Sequence, residues 1–174
     1  ATGCSPASPQ IAPSGVDGLV VPLAVPDPDD FVAGIDHPYL DPALAEPSTT
    51  GPVVSGVRTT EVPATGIAGL TGAVDLYAQD DLGNVWWFGR EDVWAVGESG
   101  AQAGLVLTAV PRRGDGYRAA LAPDADVDLV SEVVQVDDDV VVVETRDLVT
   151  GTVERTSYAA GVGRVQSQTL LETP

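Results

Sequence analysis

Short apolar runs separated by turn residues follow one another along the chain from Val53 onward. Segments such as "AVDLYAQ", "GLVLTAV", "VVVVETRDLV" and "TVERTSYAA" are rich in β-branched and aromatic residues. Glycine, aspartate and proline punctuate them at intervals of roughly ten residues, the spacing of antiparallel sandwiches and barrels. The pattern predicts a mainly β domain over residues 53–174: an antiparallel meander that forms a sandwich or a partly open barrel, with little helix.

The preceding residues, 16–52, carry prolines at short intervals, as in "VVPLAVPDPDDF" and "DHPYLDPALAEP". Proline has no backbone N–H and disfavours helix at the residue before it. Within a sheet it is confined to edges, strand ends and bulges. We therefore expect a proline-rich extended segment over residues 16–52, leading into the β domain.

Residues 1–15 read "ATGCSPASPQIAPSG", where the lone cysteine, Cys4, precedes a tract rich in serine, proline and alanine. The stretch resembles the end of a bacterial lipoprotein signal, whose lipobox closes on the cysteine that is acylated. This resemblance implies a lipobox remnant and a Pro/Ser tether over residues 1–15, with a lipid on Cys4. The alternative is an ordinary thiol near a frayed terminus.

The stretch "DDLGNVWWFG" runs from two acids through Gly-Asn into three consecutive aromatics. Gly83 suits a left-handed backbone position, so residues 80–84 are predicted to form a compact hairpin turn. Neighbouring side chains of a strand point to opposite faces. Trp86 and Phe88 should therefore share one face and feed the core, while Trp87 points to the other.

Trp87 has two interpretations. It packs against protein, or it forms a stacking platform for a sugar or an apolar ligand together with Tyr77 or Trp94. The second interpretation rests on the cost of leaving a tryptophan exposed with nothing to contact. These three aromatics are the candidate ligand-binding residues.

Composition restricts the chemistry. The formal net charge is −18, from 26 acids against 8 bases, and every base is arginine. Such a surface repels phosphate backbones and anionic lipids, which excludes nucleic acid as a favoured partner. Without lysine, the chain has no lysine nucleophile or base. One cysteine and one histidine, His37, are too few for an intramolecular disulfide or a Cys/His zinc site.

The acids cluster, and calcium prefers six to eight oxygen ligands. Two clusters are candidate calcium ligands: Asp80, Asp81 and Asn84 in the hairpin turn, and Asp124, Asp126 and Asp128 in "PDADVDL". Neither carries the glycine and distal glutamate of an EF-hand loop. The alternative is that both are solvated turns, since clusters arise readily in so acidic a chain.

Four segments occur in the order "DHPYLDP", "LYAQDDLGNVWWFGRED", "RGDGYRAALAPDAD" and "VERTSYAAGVGRVQS". Together they resemble a family of uncharacterised bacterial secreted proteins and lipoproteins, which share a YAQDxxGNVWYFGE-like hairpin and a C-terminal YYAxGVGxV-like segment. The resemblance spans roughly residues 36–167 and implies an envelope-exported β domain. It implies no activity and no catalytic residues. This chain is more acidic than such a family, and its segment between Pro42 and Val53 is compressed.

These observations favour an exported cell-envelope lipoprotein, anchored to the outer face of the cell membrane through Cys4 or secreted. Its expected role is that of a non-catalytic binding or assembly subunit for an envelope protein or a small ligand. The first alternative is a calcium- or carbohydrate-binding module, with calcium as the one cofactor the acids could hold. The second alternative is a carboxylate-based hydrolase, which needs a suitable acid pair.

Overall fold

The computed structural model describes residues 25–64 and 72–170. Strands make up 54% of the structure, which confirms the predicted mainly β, antiparallel meander. The strands are β1 (Phe31–Val32), β2 (Thr50–Val54), β3 (Val57–Pro63), β4 (Val74–Asp80), β5 (Val85–Arg90), β6 (Trp94–Ala95), β7 (Gln102–Leu107), β8 (Gly116–Ala122), β9 (Val127–Val136), β10 (Val140–Asp147), β11 (Val153–Ala159) and β12 (Gly163–Leu170). All helical turns in the described residues are short 3-10 turns, at Pro28–Asp30, Pro42–Ala45, Pro47–Thr49 and Pro123–Ala125.

The strands form a single antiparallel sheet in the order β12-β11-β10-β9-β8-β7-β5-β4-β3-β2, with β1 beside β4 and β6 beside β5. The sheet is not closed into a barrel. It nevertheless curls, because side chains of β4 and β12, which are far apart in the strand order, lie within hydrogen-bonding distance of each other. Among the described residues, no helix is long and apolar enough to cross a membrane.

Irregular pairing accompanies this curvature. The register shifts in six strand pairs: β2/β3, β4/β5, β5/β7, β8/β9, β9/β10 and β11/β12. A β-bulge places two residues opposite one, which bends the strand and increases its twist. The bulges therefore help a sheet of this width to bend around one interior and re-aim individual side chains toward it.

The described part of the proline-rich segment packs on the sheet. β1 pairs with the end of β4, and Phe31 meets Phe88 edge to face with ring centroids 5.2 Å apart. Ile35 and Leu44 enter the main hydrophobic core. This explains why β4 and β5 are buried on both faces, whereas β11 alternates between buried and more exposed positions.

Asp80 organises the predicted hairpin turn, which the structure confirms, with Gly83 at φ +90°. The side chain of Asp80 accepts hydrogen bonds from Leu82 N (3.1 Å), Asn84 N (2.8 Å), Asn84 Nδ2 (2.9 Å) and Trp86 Nε1 (2.8 Å). The carboxylate is fully committed to the turn and to the first core tryptophan. Trp86 and Phe88 are both buried in the main core, as the alternation predicts.

Candidate ligand-binding cavity

The curled sheet encloses a cavity of about 150 Å³ that is partly open to solvent. Its lining comes from strands β4, β5 and β7 to β12 and mixes aromatic, aliphatic and ionisable side chains. The lining residues are Asp75, Tyr77, Trp87, Arg90, Leu105, Val106, Ala119, Leu129, Ser131, Val143, Thr145, Glu154, Tyr158 and Arg164. The cavity is the larger of the two concave sites described below, and it holds both charged and apolar partners for a ligand.

A bulge in β5 places two of these residues on one face. Tyr77 pairs with Trp87 and Asp75 pairs with Arg90, which leaves Phe88 as the extra residue in the ladder. Regular alternation would send positions 87 and 90 to opposite faces. The bulge instead brings Trp87 and Arg90 to the cavity side, where the Arg90 guanidinium lies 5.2 Å from the centre of the Trp87 ring.

A second bulge, in β12, turns the side chain of Arg164 toward the cavity. Thr156 pairs with Ser167, but Tyr158 pairs with Arg164, so Val165 is the extra residue. In an unbulged ladder Val165 would stand opposite Tyr158. Val165 is instead 52% exposed, and Arg164 takes the inward position beside Tyr158.

A chain of polar contacts crosses the wall of the cavity. Arg90 Nε donates to Asp75 Oδ1 at 2.8 Å, and the Tyr77 hydroxyl lies 3.5 Å from Asp75 Oδ2. Arg164 Nη2 in turn lies 3.5 Å from the Tyr77 hydroxyl oxygen. Burial, followed by the nearby charge of Asp75, raises the pKa of Tyr77 well above its usual range, so this hydroxyl stays protonated and can donate to Asp75.

Arg164 is the exception in this network. Its Nε and Nη1 atoms are buried and have no hydrogen-bond partner among residues 25–64 and 72–170. Burial by itself lowers the pKa of Arg164, but the charges of Tyr158, Tyr77 and Asp75 and a side-chain hydrogen bond to Tyr158 more than offset this, so its pKa lies above the ordinary value. The Tyr158 contact does not meet hydrogen-bond geometry at Nε or Nη1. The guanidinium is therefore cationic, and its Nε and Nη1 have no hydrogen-bond partner among the described residues.

The remaining polar side chains of the cavity wall, on β9, β10 and β11, form hydrogen bonds with neighbouring protein side chains. Ser131 Oγ and Thr145 Oγ1 are 2.8 Å apart and bond each other. Glu154 accepts a short hydrogen bond from Ser167 Oγ. Leu129 and Val143 add apolar surface. Asp75 and Glu154, the carboxylates of the lining, thus already have partners.

The three predicted ligand-binding aromatics come together, but as a packed cluster. The Trp87 ring meets Tyr77 and Trp94 edge to face, with centroid separations of 6.2 and 5.5 Å. Tyr77 is 3% and Trp94 7% exposed, and Trp87 is part-buried with its Nε1 donating to Gly89 O at 2.6 Å. Tyr77 and Trp87 line the large cavity. Trp94 lines a separate pocket of about 90 Å³.

The predicted calcium ligands remain in two separate places. Asp80 is 1% exposed, and its carboxylate already accepts four hydrogen bonds within the turn and from Trp86, whereas Asp81 is exposed. Asp124 lines the smaller pocket, and Asp128 pairs with Arg118 through a short contact. Asp126 has a left-handed backbone at φ 53°. In the described parts of the chain no three His, Cys, Asp or Glu side chains converge as a metal site.

Cys4 lies outside the described residues. The residues that the sequence did not single out are Asp75, Arg90 and Arg164, although each is a charged residue within a predicted strand segment. Such a residue is expected at an outward position, and only the cross-strand pairing shows that these three point inward.

The fold and cavity define a mainly β protein built from one curled antiparallel sheet, with a cavity whose lining includes two arginines and two carboxylates. Comparison with known protein families, with curated proteins and with solved structures finds no match to the chain.

Proposed function

We propose that the chain is a non-catalytic binding protein of the bacterial cell envelope, and that the cavity of the curled sheet receives a small ligand. The observation that carries this proposal is the buried guanidinium of Arg164, with Nε and Nη1 unpartnered among the described residues. Buried polar groups nearly always have a hydrogen-bond partner, and those that lack one call for an explanation. A ligand that enters the cavity supplies the missing partner when the Arg164 side chain shifts enough to turn these nitrogens toward it.

A binding role accounts for the lining better than a hydrolytic one. A general acid–base mechanism needs a carboxyl group with access to the reacting atoms. Asp75 is 1% exposed and holds Arg90 and Tyr77, while Glu154 is bonded to Ser167. Both side chains brace the wall, which is the role we assign to them.

The site can be tested by adding small neutral and charged compounds, each about the size of one aromatic ring, to the protein. A concentration of about 1 mM detects weak binding. Ala119 lines the cavity, so Ala119→Leu fills part of it, whereas Ala160→Leu changes an exposed turn. We expect compounds that raise Tm and change tryptophan fluorescence in the wild type and Ala160→Leu but not in Ala119→Leu. If no compound distinguishes Ala119→Leu from the wild type, the cavity is not a binding site.

The envelope location is a separate part of the proposal and is supported by the sequence around Cys4. The expected lipid would hold the protein at the outer face of the membrane by an acyl anchor. Intact-mass measurement of protein extracted from native membranes tests this. A mass that includes acyl chains on Cys4 is the expected result, and an unmodified Cys4 in the native protein would remove the anchor from the proposal.

A further inference from the structure

We propose that the ligand of the cavity is a small carboxylate with an apolar body, whose carboxylate binds the guanidinium of Arg164. This inference rests on the proposed function, because it names the chemical class that the same cavity accepts. Three features of the cavity carry it: the unused donors, the charges around them and the apolar part of the lining.

The unused donors lie on the two edges of the guanidinium that a carboxylate can bind, and a small shift of the Arg164 side chain is needed for a ligand to reach them, because Nε and Nη1 have almost no solvent-accessible surface. A carboxylate binds arginine by two parallel hydrogen bonds along one edge of the planar guanidinium. Each such edge pairs Nη2 with either Nε or Nη1, and both of these are unpartnered among the described residues. The Tyr77 contact to Nη2 is long, at 3.5 Å, and leaves that nitrogen able to bond a carboxylate as well.

The surrounding charges favour a monoanion in one orientation. Asp75 neutralises Arg90, so the pair adds no net charge, and Arg164 contributes one unneutralised positive charge beside it. Glu154 lies four residues before Tyr158 on β11, about 13 Å along the strand at about 3.3 Å per residue. Its negative charge repels a carboxylate from that end, so the ligand's anionic group is directed to Arg164.

The apolar lining sets the body of the ligand. Trp87, Leu129 and Val143 offer an aromatic ring and two aliphatic side chains to the cavity. A cavity of about 150 Å³ is the size that accepts a benzene ring. A carboxylate on a branched aliphatic or single-ring body therefore fits both ends of the site. A phosphate has no apolar part to place there.

Matched pairs of probes test the class: isobutyrate with isobutyramide, and benzoate with benzamide. They are titrated into the wild type, Arg164→Gln and Arg155→Gln by calorimetry or tryptophan fluorescence. Arg155 lies on the exposed face of β11 and pairs with Glu144, which makes it the matched control. We expect at least one carboxylate to bind wild type and Arg155→Gln at least about tenfold more tightly than its amide, a step of about 1.4 kcal/mol. Arg164→Gln should remove that preference.

Salt supplies an independent measurement. The protein carries a net charge of −18, which repels anions at long range. Raising the ionic strength screens this repulsion while affecting a buried pair less, so carboxylate affinity should hold or rise with salt. An affinity that falls steeply with salt would indicate attraction to exposed arginines instead and would overturn the inference.

The outcomes separate the inference from the proposed function. Equal binding of acid and amide to the wild type overturns the carboxylate assignment without use of any variant, as does tighter binding of inorganic phosphate. A carboxylate preference that survives in folded Arg164→Gln also overturns it. If neutral compounds still bind and Ala119→Leu blocks them, the cavity remains a binding site with a different ligand. If Ala119→Leu blocks nothing, both proposals fail.

Discussion

Replacement of Asp80 by alanine should destabilise the protein far more than replacement of its neighbour. Asp80 is 1% exposed, and its carboxylate accepts from two backbone N–H groups, the Asn84 amide and the Trp86 indole. Alanine leaves all four donors without this partner. The turn loses its organising group, and the core loses the anchor of its first tryptophan.

The magnitude follows from where each donor lies. The Trp86 side chain is buried, so its unpaired N–H costs about 1–3 kcal/mol. The donors in the turn reach water more easily, and each loses only the net value of its bond, about 0.5–1.5 kcal/mol. The sum is a loss of about 2.5–7.5 kcal/mol in the free energy of unfolding. For a chain of this length it corresponds to a fall in Tm of about 5–30 °C.

Chemical denaturation followed by tryptophan fluorescence measures this loss. Asp81 is exposed, so Asp81→Ala is the control and should stay within about 0.5 kcal/mol of the wild type. Comparable losses in the two variants would refute the hydrogen-bond account. The same pair tests the calcium hypothesis: a rise in wild-type Tm on addition of calcium, abolished in both variants, would show that the turn binds the ion.

Three further predictions concern stability. Without ligand, Arg164→Met should raise the free energy of unfolding by about 1–3 kcal/mol, because it removes unpaired buried donors. The control variant Arg155→Gln should show no such rise. A lower free energy of unfolding in Arg164→Met would mean that the guanidinium is well solvated. Burial lowers the pKa of His37 below its ordinary value of 6.5, so the unfolded state takes up the proton first and stability is lost as pH falls below about 6.5. His37→Gln should remove that slope in denaturation curves between about pH 5 and 7, and an unchanged slope assigns it to other groups. Gly104→Ala should lower the free energy of unfolding by at least about 2 kcal/mol, because the added Cβ would lie 2.4 Å from the backbone of β8. Gly116→Ala, whose added Cβ has its nearest contact at 3.9 Å, should lower it much less. Equal falls in Tm for the two variants would contradict this.

Local signals explain what could be predicted from the sequence. The mainly β class and the turn at residues 80–84 could be predicted, because both follow from β-branched residues, turn residues and their spacing along the chain. The face of Trp86 and Phe88 followed from the same period of two. The grouping of Tyr77 with Trp87 was also foreseen, although as an exposed platform, whereas the rings are packed against each other.

The charged part of the site could not be predicted, because it depends on register. Alternation along β12 cannot indicate that Val165 is an extra residue, yet that single irregularity decides which way Arg164 points. Likewise Trp87 and Arg90 share a face only because Phe88 interrupts the ladder. Pairing across the curled sheet then brings Tyr77 to Arg164, 87 positions away in sequence.

The two cavity arginines show how the site differs from an ordinary ion-pair network. Arg90 has a carboxylate partner, Asp75, and removal of either leaves a buried charge that the other had neutralised. Arg164 has tyrosine hydroxyls for neighbours and two unused nitrogens, so an apolar residue of similar length should be more stable in its place. Positions that reduce stability without a structural gain are characteristic of functional sites. The bulge at Val165 aims a costly cation at a cavity with an apolar wall, and a bound carboxylate is the partner that would make this arrangement favourable.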